Sequence, residues 1–195
     1  MIQIRGIPFR KKGEIGDYSH DVKTMQSTLF LINENFLDKT DTELVKGSGT
    51  ACLRSKTPRF SDSPCAAGVT TGWSKNTGGF KKLDPWVKYA IDLDFDRICL
   101  MIEKYKFKTV VFSCDSNDVS MLGSNIFKVH PSVKEYISVK IWGINDQLKI
   151  PSKMTLNKVH YKENVLRMYA QVLDENVRLK WGLRDVRSKN KVIYV

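Results

Sequence analysis

The stretch "DPWVKYAIDLDFDRICLMIEKYKFKTVVFSC", Asp84 to Cys114, decides the fold class. Asp84-Pro85 is a helix start, because Asp accepts from free N–H groups at a cap and Pro fits the first helical position. Trp86, Ala90, Leu93 and Arg97 share one side of the helix that follows. Val87, Ile91, Phe95 and Ile98 crowd the neighbouring side, giving a wide apolar stripe over about 85–105. "KTVVFSC", Lys108 to Cys114, then changes period: β-branched and aromatic residues in a short run make the clearest strand of the chain.

Working outward, "TLFLIN", Thr28 to Asn33, is a short apolar run with polar flanks, a buried strand. "AAGVTTG", Ala66 to Gly72, is a short strand ending in a glycine turn. His130-Pro131 opens another helix, with Val133, Tyr136, Ile137, Lys140 and Ile141 on one face. This order is the grammar of an α/β protein: a single mixed or mostly parallel sheet flanked by helices, with at least one parallel pair. The texture changes at "NDQLKIPSK", Asn145 to Lys153. A helix is expected near Tyr161 to Leu173, followed by two strand-like runs, "NVRLKWGLRDVR" and "KVIYV", joined by "SKNK". The expected organisation is an α/β domain over 1–150 and a basic C-terminal extension over 151–195, a helix plus a hairpin, packed on it.

The chain has 195 residues, 42% hydrophobic, enough to build a core rather than a disordered coil. No apolar run is long enough to span a membrane, and "MIQIRGIPFRKKGE" carries no secretory h-region. Cytoplasmic residence is expected, in the host cytoplasm if a phage encodes the chain. The richness in Lys, Asn and Ile suggests an AT-rich, phage-like genome. Cys52, Cys65, Cys99 and Cys114 show no CxxC spacing and the three histidines are far apart, so free thiols and no metal or cofactor are expected. The net charge of +11 attracts polyanions. Residues 151–195 hold ten Lys/Arg against four Asp/Glu, over half of that excess; a solvated, aggregation-blocking edge accounts for it as well as a nucleic-acid surface does.

Ligands of an α/β sheet gather at the carboxyl ends of its strands, where three loops qualify. In "LVKGSGTACLRSKTP", Leu44 to Pro58, Gly47 and Gly49 allow backbone to approach an anion around Ser48. A helix starting near Thr50 would aim free N–H groups at that anion, and Arg54 would add a charge-assisted bond. No GxxxxGK[ST] or GxGxxG pattern is met, so a plain turn stays open. "GVTTGWSKNTGGF" contributes Gly68, Thr70, Thr71 and Gly72, which also read as a β-branched pair in a strand. "CDSNDVSMLGSNIFKVH" contributes Gly123, Ser124 and Asn125, with Ser113, Asp115, Ser116, Asn117 and Asp118 at the strand end. Asp115 or Asp118 there either accepts from a ribose hydroxyl or amine, or builds Asx-turns. Cys52 or Cys114 as a nucleophile stands against an inert buried thiol.

The order of these parts resembles the macro domain, the ADP-ribose-binding α/β module. The carriers are "FLINENF" (Phe30–Phe36), "KGSGTACLR" (Lys46–Arg54), "AAGVTTGW" (Ala66–Trp73), "TVVFS" (Thr109–Ser113) and "LGSNIF" (Leu122–Phe127), over about 28–140. Small phage and bacterial proteins with an Asn-acid-Asn after a strand and a "GIPTG"-like segment are similar too. "IQIRGIPF" lacks the Asp that macro domains place after their first strand, and Asn33 and Asn35 are spaced differently from the macro asparagines. The resemblance implies binding of ADP-ribose or a related nucleotide. Asn33 or Asn35, with Asp115, would orient a ribose or a water, Gly47, Gly49, Thr50, Gly123 and Ser124 would cradle the diphosphate, and Thr70 and Thr71 would line the site. It also allows an ADP-ribosyl hydrolase acting on modified nucleic acid or protein; the basic charge and phage-like composition add phage counter-defence to that expectation, with an anti-DarT-type factor of T-even-like phages as one candidate.

Two other readings stand beside it. A non-enzymatic nucleic-acid binder would use Arg178, Lys180, Trp181, Arg184 and Arg187, since aromatics among cations stack on bases. A phage inhibitor of a host defence protein would instead present an exposed apolar patch rimmed by charge.

Overall fold

A computed structural model describes residues 1–8, 27–37, 65–123, 128–150 and 155–189. Four strands, β1 (Gln3–Pro8), β2 (Thr28–Asn35), β3 (Ala66–Gly72) and β4 (Thr109–Cys114), form one sheet in the order β1-β4-β2-β3. All three pairings are parallel. Among the described residues the helices are α1 (Pro85–Tyr105), α2 (Pro131–Trp142), α3 (Ile144–Gln147) and α4 (Leu156–Lys189). The strands expected at 28–33, 66–72 and 108–114 and the helices opening at Pro85 and Pro131 are present, with β2 two residues longer than its apolar run, while a helix near Thr50 falls outside the described residues. Parallel pairing requires crossovers, and α1 supplies the one from β3 to β4.

Asp84 caps α1 as its sequence requires: Oδ1 accepts from the backbone N–H groups of Trp86 and Val87, both at 3.0 Å. Lys106, left-handed at φ 57°, ends the helix and turns the chain into β4. One face of the sheet, through Leu29, Leu31, Val69, Val110 and Phe112, packs on α1, α2 and α4 in the main core. The opposite face carries a smaller cluster of Phe30, Ile32, Ala66 and Val111. The β1 edge is fastened by α3: the Asn145 amide accepts from Ile2 N–H at 2.7 Å and donates to Ile2 C=O at 2.9 Å.

The C-terminal expectation needs correction. "NVRLKWGLRDVR" is not a strand; residues 176–187 lie inside the 34-residue helix α4. The alternation of Val177, Leu179 and Trp181 mimics a strand, but no Pro or tight turn separates it from the helix ahead. Leu, Arg and Lys also propagate helix readily. The basic hairpin is therefore replaced by a helix as far as Lys189, and "KVIYV" lies outside the described residues. Val159, Leu166 and Ala170 of α4 belong to the same core cluster as the sheet and α1. Among the described residues no helix is long and apolar enough to cross a membrane.

Candidate functional site

β2 and β4 are parallel neighbours, so their carboxyl ends lie side by side. From β2 the chain goes on to β3. From β4 it goes to α2, whose Trp142 packs edge-on to Phe112, and then to α3, bonded to the start of β1. The carboxyl ends of the strands are where α/β proteins hold ligands.

Asn33 of β2 donates from Nδ2 to the carbonyl of Gly123, in the segment after β4, at 2.7 Å. Gly123 is pressed against β4: its N–H donates to Ser113 C=O at 2.9 Å, and a Cβ there would lie 2.4 Å from the Cys114 carbonyl oxygen. Only glycine fits so close an approach. Asp115 N–H donates to Met121 C=O at 2.9 Å, so residues 115–121 form a tight excursion from the strand end. Within it Asp115 accepts from Asn117 N–H, and Asp118 accepts from Ser120 N–H and Oγ. These are Asx-turns, and the Ser120 bonds hold the exposed Asp118 carboxyl below its usual range. Asp115 itself is half-buried at this strand end, and Ser113 is buried behind it.

Asn35 is buried at the end of β2, its Oδ1 lying 3.0 Å from where a Gly72 Cβ would be. The register between β2 and β3 slips there: Glu34 pairs with Thr70, and Asn35 with Gly72, leaving Thr71 as the bulged residue. Gly72 allows the following turn to fold back, since a Cβ would meet Gly78 C=O at 2.4 Å. That turn, 73–79, is held by α4: Asp174 accepts from Ser74 Oγ, and from Asn76 Nδ2 at 2.9 Å. These bonds, Ser74's foremost, lower the Asp174 pKa. Trp73 anchors the turn, edge-on to Phe36, Phe80 and Tyr169.

Thr70 and Thr71 are fully buried and part company. Thr71 Oγ1 donates to Glu34 C=O at 3.4 Å. Thr70 belongs to a different constellation, at the outer edge of β3, which sequence reasoning missed. Asp94 Oδ2 accepts from both Thr70 N–H and Thr70 Oγ1, each at 2.7 Å. Arg97 Nη2 donates to Gly68 C=O at 2.8 Å and Nη1 to Glu163 Oε1 of α4 at 3.0 Å. Asp94, Arg97 and Glu163 are all buried. One turn of α1 thus satisfies the open N–H and C=O groups that an edge strand exposes. The adjoining cavity, beside Glu34, Gly68 and Arg97, measures about 10 Å³, room for about one water. The signal in sequence was Asp94 and Arg97 on an otherwise apolar helix face, a charged pair one turn apart.

Of the remaining expected site residues, Gly47, Ser48, Gly49, Thr50, Arg54, Ser124 and Asn125 lie outside the described residues. Arg178 and Lys180 are exposed on α4, and Trp181, Arg184 and Arg187 lie further along its backbone. Cys114 is buried and its thiol pKa raised by desolvation; Cys99 is pushed up to about 12 by the same cause. Neither is a ready nucleophile. Among the described residues no group of His, Cys, Asp and Glu is arranged to hold a metal. In comparisons with known proteins, no protein-family model, no curated protein and no solved structure matches this chain.

Proposed function

We propose that the protein binds a nucleotide of the ADP-ribose type at the carboxyl edge of its sheet, in the crevice between β2 and β4. The observation that carries this reading is the Asn33 amide on the Gly123 carbonyl, which joins the carboxyl ends of the neighbouring strands β2 and β4. Asn33 and Asp115 are the polar side chains that the crevice leaves partly exposed. An amide and a carboxylate suit the hydroxyls of a ribose, the first as donor and acceptor, the second as acceptor. The bulge at Thr71 and the close turn at Gly72 lie at the same end of the sheet, where bulges re-aim side chains beside binding sites. The +11 charge favours a phosphorylated ligand. Hydrolysis of ADP-ribosylated nucleic acid or protein, in phage counter-defence, is the activity we propose for that site.

Calorimetric titration with ADP-ribose tests the reading, with AMP and a short DNA strand as comparators. Binding of ADP-ribose that falls about tenfold or more in Asn33→Ala, with an unchanged circular dichroism spectrum, supports it. No nucleotide binding, together with salt-sensitive DNA binding untouched by Asn33→Ala, overturns it in favour of a nucleic-acid binder. Turnover of ADP-ribosylated DNA and protein is then the assay that separates a hydrolase from a binding module.

A further inference from the structure

Around the turn 73–79 the fold gathers exposed cations beside a partly bare aromatic ring. From Trp73 to Trp86 the chain carries Lys75, Lys81 and Lys82 against a single acid, Asp84. All three lysines are exposed. Lys75 belongs to the turn, and Lys81 lies over it, with Nζ 3.8 Å from where a Cβ of Gly78 would be. Arg178, also exposed, joins them from α4. It stands one helical turn beyond Asp174, the residue that bonds Ser74 and Asn76 of the turn. The Ser74 bond is the main cause of the lowered Asp174 pKa, and the charges of Arg178 and Lys75 add to it. The two sets of cations, far apart in sequence, thus meet at one place.

The acids of this region are turned to other work. Asp84 accepts from the N–H groups of Trp86 and Val87, and Asp174 from Ser74 and Asn76. Both are half-buried, whereas the four cations are exposed. Glu175 lies on the far side of Arg178 from Asp174 around the helix. Such a surface attracts an anion with repeated charges. Trp86 narrows the choice of anion. Its indole stacks on Tyr169 of α4, with ring centroids 4.8 Å apart and planes at 20°, yet it is 44% exposed, while the neighbouring Trp73 is buried. A ring held by a stacked neighbour and still open to solvent, four residues from Lys82, is a platform for a base, with cations placed for the phosphates. An acidic peptide would need the cations and leave the ring without a role.

We infer that Lys75, Lys81, Lys82, Trp86 and Arg178 form a binding surface for single-stranded nucleic acid, with a base on Trp86 and phosphates on the cations. The surface lies at the carboxyl edge of β3, one strand away from Asn33, and it does not rest on the nucleotide reading above. Fluorescence anisotropy of a labelled oligothymidylate with the full chain tests it, with polyaspartate as a polyanion that has no bases. Wild type binds the oligothymidylate less tightly as salt rises. Trp86→Ala weakens binding about tenfold without changing the salt slope, because a stacked base is lost and no charge, and Trp86→Phe keeps most of the affinity. Lys75→Ala, Lys81→Ala and Arg178→Ala each weaken binding and lower the salt slope by roughly 0.7. These side chains are exposed, so circular dichroism should match wild type in every variant. Asn33→Ala leaves oligothymidylate binding unchanged, which separates a failure here from a failure of the nucleotide reading. No binding, or binding that survives the three cation substitutions, overturns the inference. A silent Trp86→Ala overturns it too, and polyaspartate bound as tightly then gives the surface to an acidic protein.

Discussion

The outer edge of β3 and the carboxyl edge between β2 and β4 are both rich in polar residues, and they are built on opposite principles. At the β3 edge, Asp94, Arg97, Thr70 and Glu163 are buried and bonded to one another and to the strand. At the carboxyl edge, Asn33 and Asp115 keep part of their surface in water, and one amide bridges the two strand exits. Both sets are bonded to backbone, but those at the β3 edge are wholly buried while Asn33 and Asp115 are not. On the reading proposed above, the half-exposed pair is the one that meets a ligand. Thr70 and Asn33 looked alike in the sequence, as polar residues at strand ends, and their surroundings separate them.

The sharpest way to break this contrast is Arg97→Ala. It removes the buried guanidinium that bonds Glu163 and the Gly68 carbonyl and should destabilise the fold by about 3–5 kcal/mol in urea titration. A loss below about 1 kcal/mol would show that the edge is not held as described. Thr70→Val removes one hydroxyl from Asp94 and should cost about 1–3 kcal/mol by the same measurement. Asn33→Ala should cost only about 1 kcal/mol of stability while carrying the larger effect on nucleotide binding. A stability loss matching that of Arg97→Ala would move Asn33 to the structural class.

Thiol labelling sharpens the comparison without a substitution. With peptide mapping after a brief alkylation at neutral pH, Cys65, half-buried, should react well before Cys99 and Cys114, whose burial raises their pKa. The smallest effect concerns Asp174. Its pKa is lowered in the folded protein, so the stability it contributes is complete above the ordinary Asp range and is lost as pH falls through the folded value. Melting temperatures of wild type and Asp174→Asn should therefore differ slightly at neutral pH and converge in acid.

The legible part of the fold was the part with unambiguous period or punctuation. Asp84-Pro85 and His130-Pro131 announced two helices, and "KTVVFSC" and "TLFLIN" announced two strands, because caps and short β-branched runs act locally. The strand-like alternation after Leu173 misled. Val177, Leu179 and Trp181 fit a period of two, but a helix already under way extends unless something stops it, and nothing between Asp174 and Asn176 does. Asn33, Ser113 and Gly123, singled out because glycine and polar residues after a strand are a local pattern, do lie together in the structure. The Asp94–Arg97–Glu163 cluster was not, because it joins residues 66 positions apart on two helices.

The sequence by itself determined the α/β class, the main helices and strands, and the strand ends where polar side chains collect. Hydrophobic period and capping chemistry are written in neighbouring residues. Only the tertiary structure decided that the sheet is wholly parallel in the order β1-β4-β2-β3. It also decided that Thr70 faces a buried carboxylate, and that one side of α4 is core while the other is bare. Those outcomes depend on which elements come to lie beside one another, and burial and pairing across long stretches of chain have no local signature.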